Sequence, residues 1–291
     1  MSITVGAHPQ NLSLSVLARR PDLTATLRKH DIDFFVYDAG SQTIGLFAVG
    51  AIQVGGTGAT PPILAKAQGL QVAVVGMSDP RPEVGGLCVR ADSDIHTIED
   101  LRGRGIGLMP LSWHMQFVAI ALKSAGLDWH DVNAREIIPA TAGDAFERGL
   151  LDAIVMTDPL YGKVHARVPV RIVKAPADTF SNRSIYWATH TVLREQPDAI
   201  RTLLDALDES DRGIQADPEE AAQLLEGVNG NTAAQWLGAL TSRSWGVNAP
   251  DTTFINEQQA HANIFSSFGL IPAPLDVSDT VDTTYWSARR T

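Results

Sequence analysis

Short apolar runs alternate with helix-like patterns from residue 3 to residue 173. The run at residues 70–76 is almost continuously apolar, which is typical of a strand covered on both faces. Strands that alternate with helical patterns favour βαβ units and a mostly parallel sheet. The predicted strands are residues 3–6, 32–37, 51–54, 70–76, 87–90, 105–109, 136–138, 152–156 and 170–173.

Helical periodicity takes over from about residue 196. Asp217 is a suitable N-cap, Pro218 fits the first helical position, and acidic residues follow in the first turn. Shorter helices are predicted at residues 15–18, 44–49, 63–68 and 143–148, with another that carries Phe117 and ends at Gly126. The predicted C-terminal helices are residues 197–215, 218–227, 232–240 and 253–268.

The stretch Val-Gly-Gly-Thr-Gly-Ala-Thr-Pro-Pro-Ile-Leu at residues 54–64 predicts a strand, a glycine turn and a helix N-terminus. Free N–H groups and the positive end of the helix dipole would then favour an anion in the turn. The stretch lacks the third glycine of a dinucleotide fingerprint and the Gly-Lys-Ser/Thr of a P-loop. A tight turn that binds nothing is the alternative, and we expect no cofactor.

The composition excludes several classes of protein. The 291 residues carry a net charge of −10 and no basic face, so we expect no nucleic-acid partner. No apolar run approaches the length of a membrane span, so an integral membrane protein is not expected. Cys88 is the one cysteine and lies in a strand-like stretch, which favours a buried residue over a nucleophile.

Candidate chemistry lies in the turns that follow strands. Junctions at residues 54–64, 107–117 and 154–162 would meet at the carboxyl ends of the strands, where open α/β sheets bind ligands. No His-x-x-x-His, Cys-x-x-Cys or Gly-x-Ser-x-Gly pattern occurs, so neither a metal site nor a serine hydrolase is predicted. Most of the candidates are neutral donors suited to an oxyanion. They are Gln10, Asn11, Thr57, Gly58, Thr60, Ser112, Trp113, His114, Thr141 and Asp158.

With these motifs in place, nearly the whole chain resembles the aliphatic sulfonate-binding proteins of ABC importers, within the group that binds sulfonates, taurine and nitrate and includes thiamine-precursor-like proteins. Residues 54–63 resemble the family's Gly-x-Thr-Gly-x-x-Pro-Pro turn, and Asp158-Pro159 follows in the family's order. Other matching stretches are residues 89–95, 100–103, 139–146, 149–153, 181–184, 245–247, 257–259 and 268–272.

The resemblance implies a type II periplasmic-binding-protein fold, in which two α/β lobes are joined by two crossovers around a ligand cleft. Residues 1–86 and 187–291 would form lobe I, and residues 87–186 would form lobe II. It further implies an oxyanion held by Thr57, Gly58 and the turn at residues 112–114, with Gln10, Asn11 and Asn182 lining the cleft. Thr141, Thr157 and the position of His114 depart from the family pattern.

Two functions stay open at this point. The first is a solute-binding protein that captures a small organic anion, with a sulfonate expected, and presents it to an ABC permease. The second is a leaderless cytoplasmic enzyme on the same fold, a lyase or a desulfinase-like or decarboxylase-like protein, with His8 and His114 as acid–base groups. No signal-peptide pattern precedes residues 3–6. The expectation is therefore a periplasmic protein if a leader was removed, or a cytoplasmic one if Met1 is the native start.

Overall fold

The computed structural model describes residues 2–81 and 83–286, apart from the side chain of Pro139. Its strands are β1 Ile3–Ala7, β2 Ile32–Val36, β3 Val54–Thr57, β4 Val72–Met77, β5 Gly85–Arg90, β6 Gly105–Leu108, β7 Asn133–Glu136, β8 Ala153–Thr157, β9 Val170–Lys174 and β10 Ile185–Thr189. Its helices are α1 Leu12–Leu17, α2 Pro21–Arg28, α3 Thr43–Ala48, α4 Thr60–Ala67, α5 Trp113–Ser124, α6 Pro139–Glu147, α7 Leu160–His165, α8 His190–Glu195, α9 Pro197–Ala216, α10 Pro218–Leu224, α11 Ala233–Thr241 and α12 Thr252–Ser267.

The strands form two five-stranded sheets, ordered β2-β1-β3-β10-β4 and β7-β6-β8-β5-β9. The chain crosses between the sheets after β4 and again after β9. The strand that follows each crossing runs antiparallel to its neighbours: β5 pairs with β8 and β9, and β10 pairs with β3 and β4. The predicted architecture of two α/β lobes joined by two crossovers is therefore confirmed. The lobe boundaries at residues 86/87 and 186/187 stay a prediction, and the strands after the crossings begin at Gly85 and Ile185.

The third strand was predicted at residues 51–54, but the observed strand, β3, lies three residues later, at Val54–Thr57. Gly55 and Gly56 lie inside β3, and neither has a positive φ. A Cβ at Gly55 would lie 3.1 Å from the Phe47 ring, and one at Gly56 would lie 2.5 Å from Asn11 Nδ2. These two glycines therefore allow neighbouring side chains to pack against the strand, rather than turning the backbone as we expected.

The strand predicted at residues 136–138 is also displaced. Its observed counterpart, β7, ends at Glu136. Pairing with β6 starts between Gly105 and Asn133, and it stops at Glu136 because β6 itself ends at Leu108. Residues 137 and 138 instead lead into α6, which starts four residues before the helix predicted at 143–148. Proline at the first helical position accounts for that earlier start. The C-terminal helices α9 to α12 occur where helical periodicity predicts them.

The two lobes share a large apolar cluster behind the cleft. Helix α5 of the second lobe packs against α4 and α12 of the first. Phe117 on α5 is fully buried in a cluster that includes Phe47 and Phe265 from the first lobe. A polar chain runs through the same interface. Thr60 Oγ1 donates to Gln116 Oε1 at 2.7 Å, and Gln116 Nε2 donates to His261 Nδ1 at 2.7 Å. These three buried polar side chains are thus hydrogen-bonded in series.

Among the described residues, no helix has both the length and the apolar character needed to cross a bilayer.

Replacing Phe117 by alanine tests the shared cluster. The change leaves a cavity between the lobes and should lower the free energy of unfolding by about 3–5 kcal/mol. Val49→Ala is the matched control, because Val49 is 78% exposed and should change that free energy by less than about 0.5 kcal/mol. Urea unfolding followed by circular dichroism measures both. If the two replacements lowered the free energy of unfolding equally, Phe117 would not stabilise the apolar cluster between the lobes.

Candidate functional site

A cavity of about 750 Å³ lies between the two lobes. The first lobe contributes the loop before α1, the turn at residues 38–42 and the segment around α11. The second lobe contributes the end of β6, the start of α5 and parts of α6, β8 and α7. The cavity therefore occupies the position at which the sequence predicted a ligand cleft.

Several helices begin at this cavity. Trp113 and His114 at the start of α5, and residues 138 and 140 at the start of α6, all line it. The shorter helices α1 and α7 also start on its wall, as does the 3₁₀ turn Gly40–Gln42. Unpaired N–H groups and the positive ends of helix dipoles make such termini favourable for anions. These termini consequently offer a negatively charged ligand N–H donors and the positive ends of helix dipoles.

The turn before α5 places an uncharged imidazole on the cavity wall. Ser112 Oγ accepts from the N–H of His114 at 3.2 Å and donates to the carbonyl of Met109 at 2.7 Å. The Met109 N–H donates to His114 Nδ1 at 3.3 Å, so the ring proton resides on Nε2. Burial lowers the pKa of His114 to about 3. His114 is thus a neutral N–H donor. Its ring lies edge-on to the ring of Trp113, with 4.5 Å between the two ring centroids.

Gln10 lines the cavity, and His8 lies behind it. Gln10 Oε1 accepts from the N–H of Gly40 at 2.9 Å and lies 3.0 Å from His8 Nδ1. His8 Nε2 donates to the carbonyl of Gly56 at 2.8 Å. The His8 side chain is buried, and burial lowers the pKa of His8 to about 4. The imidazole lies outside the lining described for the cavity.

Of the other expected residues, Asp158 also lines the cavity, where its Oδ1 accepts from the N–H of Gly162 at 2.9 Å. Thr141 is exposed at the surface. The remaining candidates lie outside the lining described for the cavity, and all of them are buried except Gly58, which is half-buried. They are Asn11, Thr57, Gly58, Thr60, Ser112 and Asn182.

Trp113 explains why the 57–60 turn is shielded. A Cβ at Gly58 would lie 3.1 Å from Trp113 Cβ, so the tryptophan covers the turn directly. Behind it, Thr57 Oγ1 accepts from Trp187 Nε1 at 3.0 Å and donates to the carbonyl of Gly58. Asn11 caps α1 by accepting from the N–H of Leu14 at 3.1 Å. These side chains are engaged inside the protein, and their role as ligand contacts stays a prediction.

Sequence reasoning missed the charged part of the wall. Arg81, Glu83 and Arg243 line the cavity with side chains that are 5–7% exposed. Glu83 lies 3.6 Å from each arginine, through Oε1 to Arg81 Nε and through Oε2 to Arg243 Nη2. Arg81 and Glu83 lie in the first crossing, shortly after β4, so their position between the two lobes could have marked them as candidates for the cleft wall. No local pattern connects them with Arg243.

The candidate nucleophile and metal chemistry have little support in the described residues. Cys88 is fully buried, its thiol donates to the carbonyl of Gly86 at 3.4 Å, and burial raises its pKa to about 12. A thiol with so high a pKa is a poor nucleophile near neutral pH. No cluster of His, Cys, Asp and Glu suited to a metal ion occurs in the part of the chain that the structure describes.

Residues 30–221 match the family model described as "NMT1/THI5 like". A curated aliphatic sulfonates-binding protein of Escherichia coli strain K12 is 29% identical over 257 residues, which is 86% of this chain and 79% of that protein. The crystal structure of the periplasmic aliphatic sulphonate binding protein SsuA from Escherichia coli is similar at a TM-score of 0.85 and 27% identity, over 97% of this chain and 92% of that one.

A desulfurization enzyme is more distant. Its crystal structure matches at a TM-score of 0.70 and 16% identity, covering 98% of this chain and 97% of that one. At this identity the likeness concerns the fold alone.

Buried neutral histidines make stability depend on pH. Burial lowers the pKa of His8, His114 and His261 to between about 3 and 4, below the ordinary value of 6.5. Between pH 6.5 and pH 5 the unfolded chain therefore binds protons that the folded chain does not, and acidification favours unfolding. Asp211 opposes this trend, because burial raises its pKa to about 7 and the folded state keeps its proton.

The three histidines outweigh the one aspartate, so the free energy of unfolding should fall when the pH is lowered from 7 to 5. His261→Gln should reduce that loss by about 2 kcal/mol, since it removes one proton from the balance. The same replacement at exposed His30 should leave the loss unchanged. Urea unfolding at both pH values measures these differences, and a wild-type protein that is equally stable at pH 5 and pH 7 would contradict the neutral-histidine assignment.

Proposed function

The chain belongs to the NMT1/THI5-like family, and on that premise we propose that it is a solute-binding protein for a small organic anion, with a sulfonate as the expected group. The ligand would be held between the two lobes, and the lobes would close around it by a hinge motion. The convergence of helix N-termini on one inter-lobe cavity is the observation that carries this proposal.

The neutral donors of the wall suit a sulfonate. Such a group is ionised across the physiological pH range and needs no proton from the protein. Its oxygens accept hydrogen bonds, and His114 Nε2 and the Gln10 amide are available to donate. Helix α5, with twelve residues, adds the dipole and the first-turn N–H groups at the same wall.

Apolar side chains elsewhere on the wall suit an apolar body on the ligand. Met109, Trp113, Val155, Met156 and Leu160 all line the cavity. At about 750 Å³ the cavity lies in the range of about 300–1,000 Å³ that is typical of small-molecule sites, and it leaves room for an organic group beyond the anionic head. An organic sulfonate therefore matches the wall better than inorganic sulfate does.

Transport is the expected context. The Escherichia coli relatives are described as binding aliphatic sulfonates, and one of them as periplasmic. We infer that this chain likewise works outside the cytoplasm and delivers its ligand to an ABC permease. A contact at the cavity edge supports the closure step, since Lys163 of the second lobe donates to the carbonyl of Gly230 in the first at 3.2 Å.

A calorimetric screen tests the proposal. The panel is ethane-, pentane- and octanesulfonate, benzenesulfonate, the matched carboxylates, sulfate and nitrate. At least one organic sulfonate should bind to one saturable site and raise the melting temperature, because ligand binding stabilises the folded state by mass action. His114→Phe should weaken that binding about tenfold, through loss of a hydrogen bond to a charged group.

Thr141→Val is the matched control, because Thr141 is exposed and should leave the affinity unchanged. Absence of binding by the whole panel would contradict a sulfonate-binding role. Release of sulfite from a bound sulfonate would favour the enzyme alternative instead.

A further inference from the structure

The buried cluster Arg81–Glu83–Arg243 lies at the junction of the two lobes. Arg81 and Glu83 belong to the first crossing between the sheets, and Arg243 follows α11. Asn182, from the second crossing, accepts from Arg81 Nη2 at 3.2 Å and donates to Glu83 Oε1 at 3.2 Å. The cluster therefore joins both crossings and faces the cavity at the same time.

The charges of this cluster do not balance. Two guanidinium groups share one carboxylate, and all three side chains are at most 7% exposed. Asp211 lies near Arg81 and Arg243, in the wall of a small neighbouring pocket, where its Oδ2 accepts from Ser13 Oγ at 3.1 Å. Burial raises the pKa of Asp211 to about 7, so a large fraction is uncharged at neutral pH. A desolvated positive charge of this kind is costly unless an anion accompanies it.

Hydrogen-bond donors are also left over. Arg81 donates to Ser184 Oγ and Asn182 Oδ1, whereas its Nε has no hydrogen-bond partner among the described residues. Arg243 Nε donates to the carbonyl of Ala239 at 3.2 Å. Trp236 Nε1 is buried, lines the cavity and likewise has no hydrogen-bond partner in the described part of the chain. Buried N–H groups without hydrogen-bond partners are rare in folded proteins, and here both belong to residues that line the cavity.

Helix α11 brings two of these groups to one wall. Trp236, Ala239 and Arg243 follow each other at helical spacing, and all three line the cavity. Glu83 connects Arg243 to Arg81 through the two 3.6 Å ion pairs. Trp236, whose indole N–H makes no hydrogen bond among the described residues, and the two guanidinium groups that share Glu83 consequently belong to one part of the wall.

We propose that Arg81, Arg243 and Trp236 form a second anion subsite, so that the ligand carries two anionic groups separated by an apolar body. This inference rests on the proposed sulfonate-binding function. The sulfonate would lie at the helix N-termini near His114, and the second group, a carboxylate or another oxyanion, would lie against the part of the wall that Arg81, Arg243 and Trp236 form. Omega-sulfocarboxylates are the chemical class that fits both ends.

Titration calorimetry with matched ligand pairs tests the subsite. Sulfocarboxylates with two to six methylene groups are compared with alkanesulfonates of equal chain length. At least one sulfocarboxylate should bind the wild type about tenfold or more tightly than its alkanesulfonate, as expected for charge-assisted hydrogen bonds. Trp236→Phe, which removes the indole N–H and keeps an aromatic ring, should reduce this ratio about threefold or more, and Arg243→Gln should remove most of it.

Glu83→Gln should change the affinity ratio in the opposite direction from the replacements of Trp236 and Arg243. It removes the carboxylate that competes for the arginines, so the preference for the sulfocarboxylate should increase. A purely structural role for Glu83 would instead lower the affinity for both members of a pair. Arg183→Gln is the matched control, since Arg183 lies in the second crossing beside Glu257 and outside the described cavity lining, and should leave the ratio unchanged.

The indole resonance of Trp236 gives an independent measurement. Its N–H signal, assigned by its loss in Trp236→Phe, should shift with a sulfocarboxylate and with adipate, and should stay in place with an alkanesulfonate. If sulfonates bind but neither the affinity ratio nor this resonance responds, the second subsite is wrong and the proposed function stands. If no sulfonate binds, the proposed function fails, and an unshifted resonance with adipate would overturn the subsite as well.

Discussion

The packing of Trp113 against Gly58 determines which part of the inter-lobe space is cavity and which is core. The contact favours glycine, because a Cβ at position 58 would lie 3.1 Å from Trp113 Cβ, closer than carbon atoms usually pack. On one side of it, the turn at residues 57–60 is enclosed with the Thr60–Gln116–His261 chain. On the other side, the ring faces the cavity. One aromatic side chain thus joins the lobes and shields the turn that looked most exposed to a ligand.

The cavity has two walls of different electrostatic character. Near α5 and α6 it presents helix N-termini and an uncharged imidazole, which attract an anion without burying a full positive charge. At the crossings it presents two desolvated arginines that share one glutamate. Because the crossings also connect the lobes, a ligand bound at the second wall would contact the segments that must move when the cleft opens.

Much of the fold could be predicted from the sequence, because its local signals agree with one another. Capping by Asp217 and proline at the first position of α10 mark a helix start that the structure retains. The strand β3 was misplaced because glycines were taken as turn residues, whereas Gly55 and Gly56 make room for Phe47 and Asn11 across the sheet. Such contacts join residues far apart in sequence and leave no local pattern.

The resemblance to a known family implied the two-lobe architecture. The sequence by itself determined the alternation of strands and helices and a set of neutral donors at helix starts. Those properties depend on hydrophobic period, caps and turns, which operate over a few neighbouring residues. Only the tertiary structure decided which donors reach the cavity: Gln10, Trp113, His114 and Asp158 do, while Thr57 and Thr60 bond within the protein. It also brought Arg243 to Arg81 and Glu83, since the two chain crossings and α11 must fold before these charges become neighbours.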